Sequence, residues 1–81
     1  MNRADIYEKL NDVFREVFDD DDITVNDATT AADIEDWDSL EHINLVVAVE
    51  KKFGVKFNMG EVNDFQNVGE MVDTIIKKLE A

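Results

Sequence analysis

The sequence predicts an all-α fold, a four-helix bundle with three main helices, one short third helix and a long ordered loop between helices one and two. The first observation behind this prediction is that apolar residues recur at helical spacing in three long segments. The second is that each helix start pairs a capping side chain with an acidic residue three positions later. These pairs are Asn2 with Asp5, Asp38 with Glu41, Asn58 with Glu61, and Asn67 with Glu70.

The first helix is predicted from about Arg3 to Phe18, with an apolar stripe along one face. The stripe consists of Ile6, Leu10, Val13, Phe14 and Val17. Residues 19–37 then form a connection that is long for so small a domain, and such loops are usually functional or disordered. We expect an ordered loop across the bundle, with a brief turn capped between Thr30 and Asp33, because apolar anchors are spread along it. These anchors are Ile23, Val25, Ala28, Ala31, Ile34 and Trp37.

The second helix is predicted from about Ser39 to Phe53, and it is apolar round much of its circumference, as is typical of a central helix. Its apolar residues are Leu40, Ile43, Leu45, Val46, Val47, Ala48, Val49 and Phe53. This is more apolar residues than one buried face of a helix can hold, and Leu40 and Val47 are the ones left over. They either pack under the loop or form a small apolar patch beside Ser39. Gly54 suits a left-handed helix end.

The two remaining helices are predicted after Gly54. Residues 59–64 are expected to form a short turn of helix that carries Val62 inward. The last helix is predicted from about Val68 to Leu79, because its apolar residues follow helical spacing closely. These residues are Val68, Met71, Val72, Ile75, Ile76 and Leu79.

The charge balance is extreme, with 20 acidic residues against 8 basic ones and a net charge of −12. Such a surface repels nucleic acid and anionic membranes and steers the protein towards partners with basic patches. Acidity that only confers solubility is the alternative. The chain has no cysteine, which excludes disulfides and thiolate chemistry of its own. With no apolar stretch of membrane-spanning length, we expect one domain over residues 1–81, monomeric and cytoplasmic, without membrane insertion.

Ser39 stands at the start of the most apolar helix, inside a cluster of carboxylates. A hydroxyl there lies at the positive end of a helix dipole, where backbone N–H groups can receive a phosphate. This predicts a site that another protein modifies. The alternative is a small acidic interaction module, such as an inhibitor or nucleic-acid mimic, in which Ser39 is only a helix cap.

Catalysis and metal binding are both disfavoured. His42 lies one turn after Ser39, but no residue is recognisable that would orient its imidazole, and no Gly-rich turn supplies an oxyanion hole. His42 is therefore predicted to be a surface contact, and Trp37 either a hydrophobic plug or a partner contact. The acidic run at residues 19–22 lacks the glycine and the bidentate glutamate of a calcium loop. No metal site is predicted.

Several of these residues together resemble the acyl carrier proteins. The resemblance rests on Asp38-Ser39-Leu40, on a helix that ends with residues 49–55 (Val-Glu-Lys-Lys-Phe-Gly-Val), and on a closing helix that begins at residues 67–70 (Asn-Val-Gly-Glu). It extends over nearly the whole chain, including the long loop and the short third helix.

The resemblance implies that Ser39 receives 4′-phosphopantetheine from coenzyme A, attached by a transferase that uses magnesium. The terminal thiol of this arm then carries acyl groups as thioesters for enzymes of fatty-acid, polyketide or related biosynthesis, and the chain itself is a carrier and not an enzyme. Partner enzymes with basic patches are expected to recognise the second helix. The expected recognition residues are Asp38, Leu40, Glu41, Val47 and Glu50.

Three residues depart from the pattern of fatty-acid carriers. Asn44 and Lys51 stand where that branch usually has acidic residues, and His42 is atypical of it. Trp37 before Asp-Ser-Leu looks more like the free-standing carriers of specialised pathways, such as polyketide, amino-acyl or surface-polymer assembly.

Overall fold

A computed structural model describes residues 2–80 of the chain. Helix α1 covers Arg3–Val17, α2 covers Ser39–Phe53, α3 covers Met59–Asp64 and α4 covers Val68–Glu80, with a single 3₁₀ turn at Ala31–Asp33. Residues 2–80 contain no strand. The predicted all-α bundle with three main helices and a short third one is therefore confirmed.

The predicted capping side chains are found at the starts of all four helices. The side chains of Asn2, Asp38, Asn58 and Asn67 each accept a hydrogen bond from the backbone N–H three residues later, at 2.8–2.9 Å. Only Asn58 and Glu61 form the full reciprocal pair. The Glu70 carboxylate instead accepts from the Gln66 N–H at 3.1 Å. At the other end of α2, Gly54 has φ +68°, the left-handed conformation that its position predicts.

The hydrophobic core lies between α1, α2 and α4, with the loop closing one side. Val17 contributes less than its place in the predicted stripe implies, because α1 ends there and Phe18, in the C-cap conformation, is buried in its place. Close packing of these side chains is the main source of stability in so small a domain. The fully buried members are Ile6, Leu10, Phe14, Leu45, Val49, Val68, Met71, Val72 and Ile75.

The long loop is ordered, as predicted. Val25 is buried, and its N–H donates to the Asn11 side chain at 2.7 Å. Arg15 donates from Nε to the Ile23 carbonyl at 2.7 Å. The expected turn is present as well: the Asp33 carboxylate accepts from the Thr30 N–H at 2.9 Å, and the Asp33 N–H donates to the Thr30 carbonyl at 3.0 Å.

Two of the predicted loop anchors are wrong. Ala28 and Ala31 are exposed, and Thr29 between them is buried. The reason is that this backbone turns towards the start of α4: the Thr29 carbonyl accepts from the Val68 N–H at 2.8 Å, and the Asp27 carbonyl accepts from the Gly69 N–H at 3.1 Å. The loop thereby satisfies N–H groups that a helix start leaves without a partner.

An exposed ionic cluster ties the loop to α1 and α4. Arg3 lies 2.6 Å from Asp27 and 2.8 Å from Asp73. The Tyr7 hydroxyl also donates to the Asp27 carboxylate. Partial burial, followed by this hydrogen bond, raises the pKa of Tyr7 above its ordinary value. The hydrogen bonds from Tyr7 and Arg3 lower the pKa of Asp27.

Candidate functional site

Ser39 is exposed and is the first residue of α2. The capping role belongs to Asp38, whose Oδ1 accepts from the Glu41 N–H at 2.8 Å. The alternative in which Ser39 is the cap is therefore wrong. Because the N–H groups of Ser39 and Leu40 lie in the first turn, they have no acceptor within the helix. The hydroxyl and both N–H groups thus meet at the positive end of the α2 dipole.

Helix α2 has one buried and one exposed apolar face. Leu40 is 70% exposed, Ile43 45% and Val47 43%, and their spacing of three and four residues places them on one side of the helix. Of the two interpretations of Leu40 and Val47, the apolar patch beside Ser39 is correct and packing under the loop is wrong. The opposite side consists of the buried residues Leu45, Val46, Val49 and Phe53.

The carboxylates predicted for partner recognition occupy different environments. Asp38 is exposed, and Glu41 is partly buried and accepts from the Asn44 amide at 3.2 Å. The Glu50 carboxylate lies towards the far end of α2 and accepts from the Phe57 N–H at 2.8 Å through Oε2. Asp38, Leu40 and Glu41 are therefore adjacent to Ser39, whereas Glu50 also fastens the connection between α2 and α3.

His42 is not the surface contact that the sequence predicts. Its imidazole is partly buried and hydrogen-bonded on both nitrogens: Nδ1 lies 3.0 Å from Trp37 Nε1, and Nε2 lies 2.9 Å from the Val62 carbonyl oxygen. The expectation that no group orients the imidazole is also wrong. The reason is tertiary, since the partners come from the loop and from α3, which sequence spacing does not bring together.

Trp37 is the hydrophobic plug of the two roles considered for it. Its ring meets Phe14 edge-to-face at 5.3 Å between centroids and lies 6.2 Å from Phe18. Its ring also meets the His42 imidazole edge to edge through their hydrogen bond, with 5.9 Å between centroids and an interplanar angle of 22°. Trp37 therefore joins the end of the loop to the aromatic part of the core.

A cleft of about 530 Å³ opens beside Ser39, between α2, the 3₁₀ turn and the segment that joins α3 to α4. Sequence analysis did not predict this cleft, because five of its eleven lining residues lie in α3 or just after it, more than twenty residues after Ser39. Its lining mixes aromatic and aliphatic side chains with carboxamides, namely Ala31, Trp37, Asp38, Ser39, His42, Ile43, Val62, Asn63, Phe65, Gln66 and Asn67.

Residues 2–80 contain no group of three or more histidine, aspartate or glutamate side chains placed to hold a metal ion. None of the helices in this part of the chain has the length and apolar character needed to cross a membrane.

The fold and site define a class of protein: a small helical bundle with a single serine, exposed at the start of its central helix. Residues 8–75 match the family described as "Phosphopantetheine attachment site". The acyl carrier protein of Thermotoga maritima is 31% identical over 78 residues, which cover 96% of each chain. That of Thermosynechococcus vestitus is 30% identical over 82 residues, with each chain covered completely.

Comparison with solved structures gives the same family. The solution structure of a holo acyl carrier protein from Geobacter metallireducens superposes with a TM-score of 0.85 and 44% sequence identity, covering 91% of this chain and 85% of that one. The chain belongs to the acyl carrier protein family. Family membership confirms the prediction of a carrier rather than an enzyme, and the family's prosthetic group is covalently attached 4′-phosphopantetheine.

Members of this family interact with a phosphopantetheinyl transferase and with enzymes that handle acyl groups. The alternative of an inhibitor or nucleic-acid mimic is not favoured.

Proposed function

We propose that Ser39 carries the 4′-phosphopantetheine arm and that acyl groups are held on it as thioesters. One observation supports this most strongly: Ser39 is exposed in the first turn of α2 while Asp38 performs the capping. Ser39 is also the only serine of the chain. Its hydroxyl therefore serves no structural purpose and lies within reach of a transferase.

The residues around Ser39 fit a phosphate-linked arm. The N–H groups of Ser39 and Leu40 are placed to donate to phosphate oxygens, and the helix dipole favours negative charge there. The adjoining cleft offers carboxamide side chains at Asn63 and Gln66 beside the aromatic ring of Phe65. When attached, the arm supplies the thiol that this cysteine-free chain lacks.

Partner enzymes are proposed to recognise the exposed face of α2. Leu40 and Val47 provide apolar contact area, and Asp38 and Glu41 provide negative charge on either side of Ser39. Glu50 extends this face, with Oε2 bonded to the Phe57 N–H. A net charge of −12 supports partners with basic patches, because opposite charges speed encounter.

The attachment is tested by mass spectrometry. The unmodified protein is incubated with coenzyme A, magnesium and a broad-specificity phosphopantetheinyl transferase. The wild type is expected to gain the mass of one arm and Ser39→Ala none. Thr74→Ala, which removes a hydroxyl from α4, is the matched control and should gain one arm. A wild type that stays unmodified, or a Ser39→Ala variant that is modified, would contradict the proposal.

We further propose that residues 1–81 act as one acyl carrier domain, cytoplasmic and monomeric. The family match over residues 8–75 and the self-repulsion expected of a strongly negative surface support this. Sedimentation equilibrium at physiological salt should give the mass of a single chain, and a concentration-dependent mass would contradict it. The specialised pathway indicated by Trp37, Asn44 and Lys51 stays a prediction.

A further inference from the structure

We propose that Trp37 and His42 form a latch that keeps the acyl group out of the bundle core, so that the cargo stays in the cleft beside Ser39. This inference rests on the proposed attachment at Ser39. It concerns where the cargo lies and which residues decide it.

The hydrogen bonds of the latch fix one state of the imidazole. An indole N–H can only donate, so His42 Nδ1 accepts from Trp37 over 3.0 Å. The other nitrogen, Nε2, then carries the proton and donates to the Val62 carbonyl over 2.9 Å. One neutral side chain thereby joins the loop, α2 and α3.

The position of the latch separates the cleft from the core. Trp37 and His42 both line the cleft. On its other side, Trp37 contacts Phe14, which is fully buried, and Phe18. A chain that entered the bundle from Ser39 along this route would have to displace the indole or separate α3 from α2.

Both movements meet resistance. Behind the latch, Leu45 and Val49 are fully buried, and a closely packed interior accepts extra methylene groups only with strain. The six-residue helix α3 is also fastened on its far side, where Lys78 lies 2.9 Å from Glu61. Cargo is therefore expected to remain at the surface, in the cleft where Phe65 lies beside the carboxamides of Asn63 and Gln66.

The latch itself is tested on the unloaded protein by nuclear magnetic resonance. The chain has one tryptophan and one histidine, so both signals are assigned without ambiguity. We expect an unprotonated Nδ1, a protonated Nε2 and an indole N–H that exchanges slowly with solvent. His42→Ala should accelerate that exchange, and Asn44→Ala, at an exposed neighbouring position of α2, should leave it unchanged. A fast-exchanging indole N–H in the wild type would overturn the latch.

The consequence for cargo is tested by loading acetyl and octanoyl groups from the corresponding coenzyme A thioesters. Hydroxylamine should cleave both thioesters of the wild type at similar rates. In His42→Ala the octanoyl thioester should be cleaved more slowly than in the wild type, by a factor of up to about ten, because its methylenes now leave water and enter the core. Trp37→Phe keeps an aromatic ring but removes the N–H donor, and it should also slow cleavage of the octanoyl thioester.

The outcomes separate the two proposals. Equal octanoyl cleavage rates in the wild type and both variants would overturn the latch as the residue pair that decides cargo position. Failure of every sample to gain an arm would overturn the attachment at Ser39, and the exchange measurement on the unloaded protein would still decide whether the latch exists.

Discussion

The two faces of α2 are built from the same kinds of residue and have opposite environments. Leu45 is fully buried and Leu40 is 70% exposed, and the neighbouring valines Val46 and Val47 divide in the same way. Burial of one leucine side chain stabilises a fold by roughly 1.5–3 kcal/mol, whereas an exposed leucine contributes little. One helix therefore supplies both the centre of the core and an apolar surface that the fold does not need.

This difference separates stability from recognition. A surface that costs solubility and adds no stability is typical of an interaction site. Substitutions on the two faces should therefore have separable effects, and the following measurements test that separation from the largest expected effect to the smallest.

The largest effect is expected on the buried face. Leu45→Ala should lower the free energy of unfolding by about 2–5 kcal/mol, because it leaves a cavity in the core. Leu40→Ala, the same change on the exposed face, should stay within about 0.5 kcal/mol of the wild type. Urea unfolding followed by circular dichroism measures both. Equal losses would show that the two faces are not distinct.

Glu50 tests whether the far end of α2 belongs to the fold or to the recognition face. Glu50→Ala should lower the free energy of unfolding by about 1–2 kcal/mol, because the partly buried Phe57 N–H loses its acceptor. Glu50→Gln retains an acceptor oxygen and should recover most of the loss. If both variants unfold like the wild type, Glu50 acts only on partners.

Asp38 holds the start of α2 in place for both faces. Asp38→Ala should lower the free energy of unfolding by about 1 kcal/mol, the usual cost of losing a helix cap. Asp36→Ala removes an equal charge two residues earlier and serves as the control. A similar loss in both variants would assign the effect to charge and not to the cap.

Val47 should show recognition without stability. Val47→Ala is expected to unfold within about 0.5 kcal/mol of the wild type. Its modification by the transferase should slow several-fold at low protein concentration, since apolar contact area is lost. Val46→Ala provides the comparison, with reduced stability and an unchanged rate in the folded protein. The reverse pattern would contradict the assignment of the two faces.

The smallest effect on stability at neutral pH is expected from the ionic cluster of Arg3, Tyr7 and Asp27, which lies outside α2 and is tested by changing the pH. Tyr7 keeps its proton more firmly in the folded state than its ordinary pKa of 10.0 would allow. Its contribution to stability is therefore complete below that pH and is lost as the pH rises through the folded value. Ultraviolet absorbance of this sole tyrosine, measured beside alkaline unfolding, checks the order of events. Phenolate formation well before unfolding would contradict it.

At acid pH the same cluster changes stability in the opposite direction, because here stability is lost as the pH falls. Hydrogen bonds from Tyr7 and Arg3 lower the pKa of Asp27 below its ordinary 3.8, so its contribution is present at neutral pH and is lost as the pH falls. Asp27→Asn should reduce the acid dependence of the melting temperature. An unchanged acid limb would contradict the role of Asp27.

The helices and their caps were predictable because they depend on local signals. Each helix start is marked by a capping residue and an acidic residue only three positions apart, namely the pairs that begin at Asn2, Asp38, Asn58 and Asn67. The predicted bounds of α2, Ser39–Phe53, are the observed ones. Periodicity alone could not divide the apolar residues of α2, because the pattern continues round most of the helix. The neighbours that bury one side are distant in sequence.

The loop and the cleft depended on such distant contacts. Apolar character alone favoured Ala28 and Ala31 as anchors, but the path of the backbone towards α4 buries Thr29 instead. His42 lacked a visible partner because the Val62 carbonyl is twenty residues away. The sequence offers one hint that the two rings meet: Trp37 directly precedes the start of α2, and His42 lies one turn into it.

Gly69 has no Cβ, and this allows the loop to lie close to the start of α4. A Cβ built on Gly69 would lie 2.8 Å from the Asp27 carbonyl oxygen and 3.2 Å from its Cα, closer than backbone atoms tolerate. Alanine at this position would wedge the two segments apart and draw the Thr29 carbonyl away from the Val68 N–H. Gly69 thus allows residues 27–29 of the loop to pack directly against the first turn of α4.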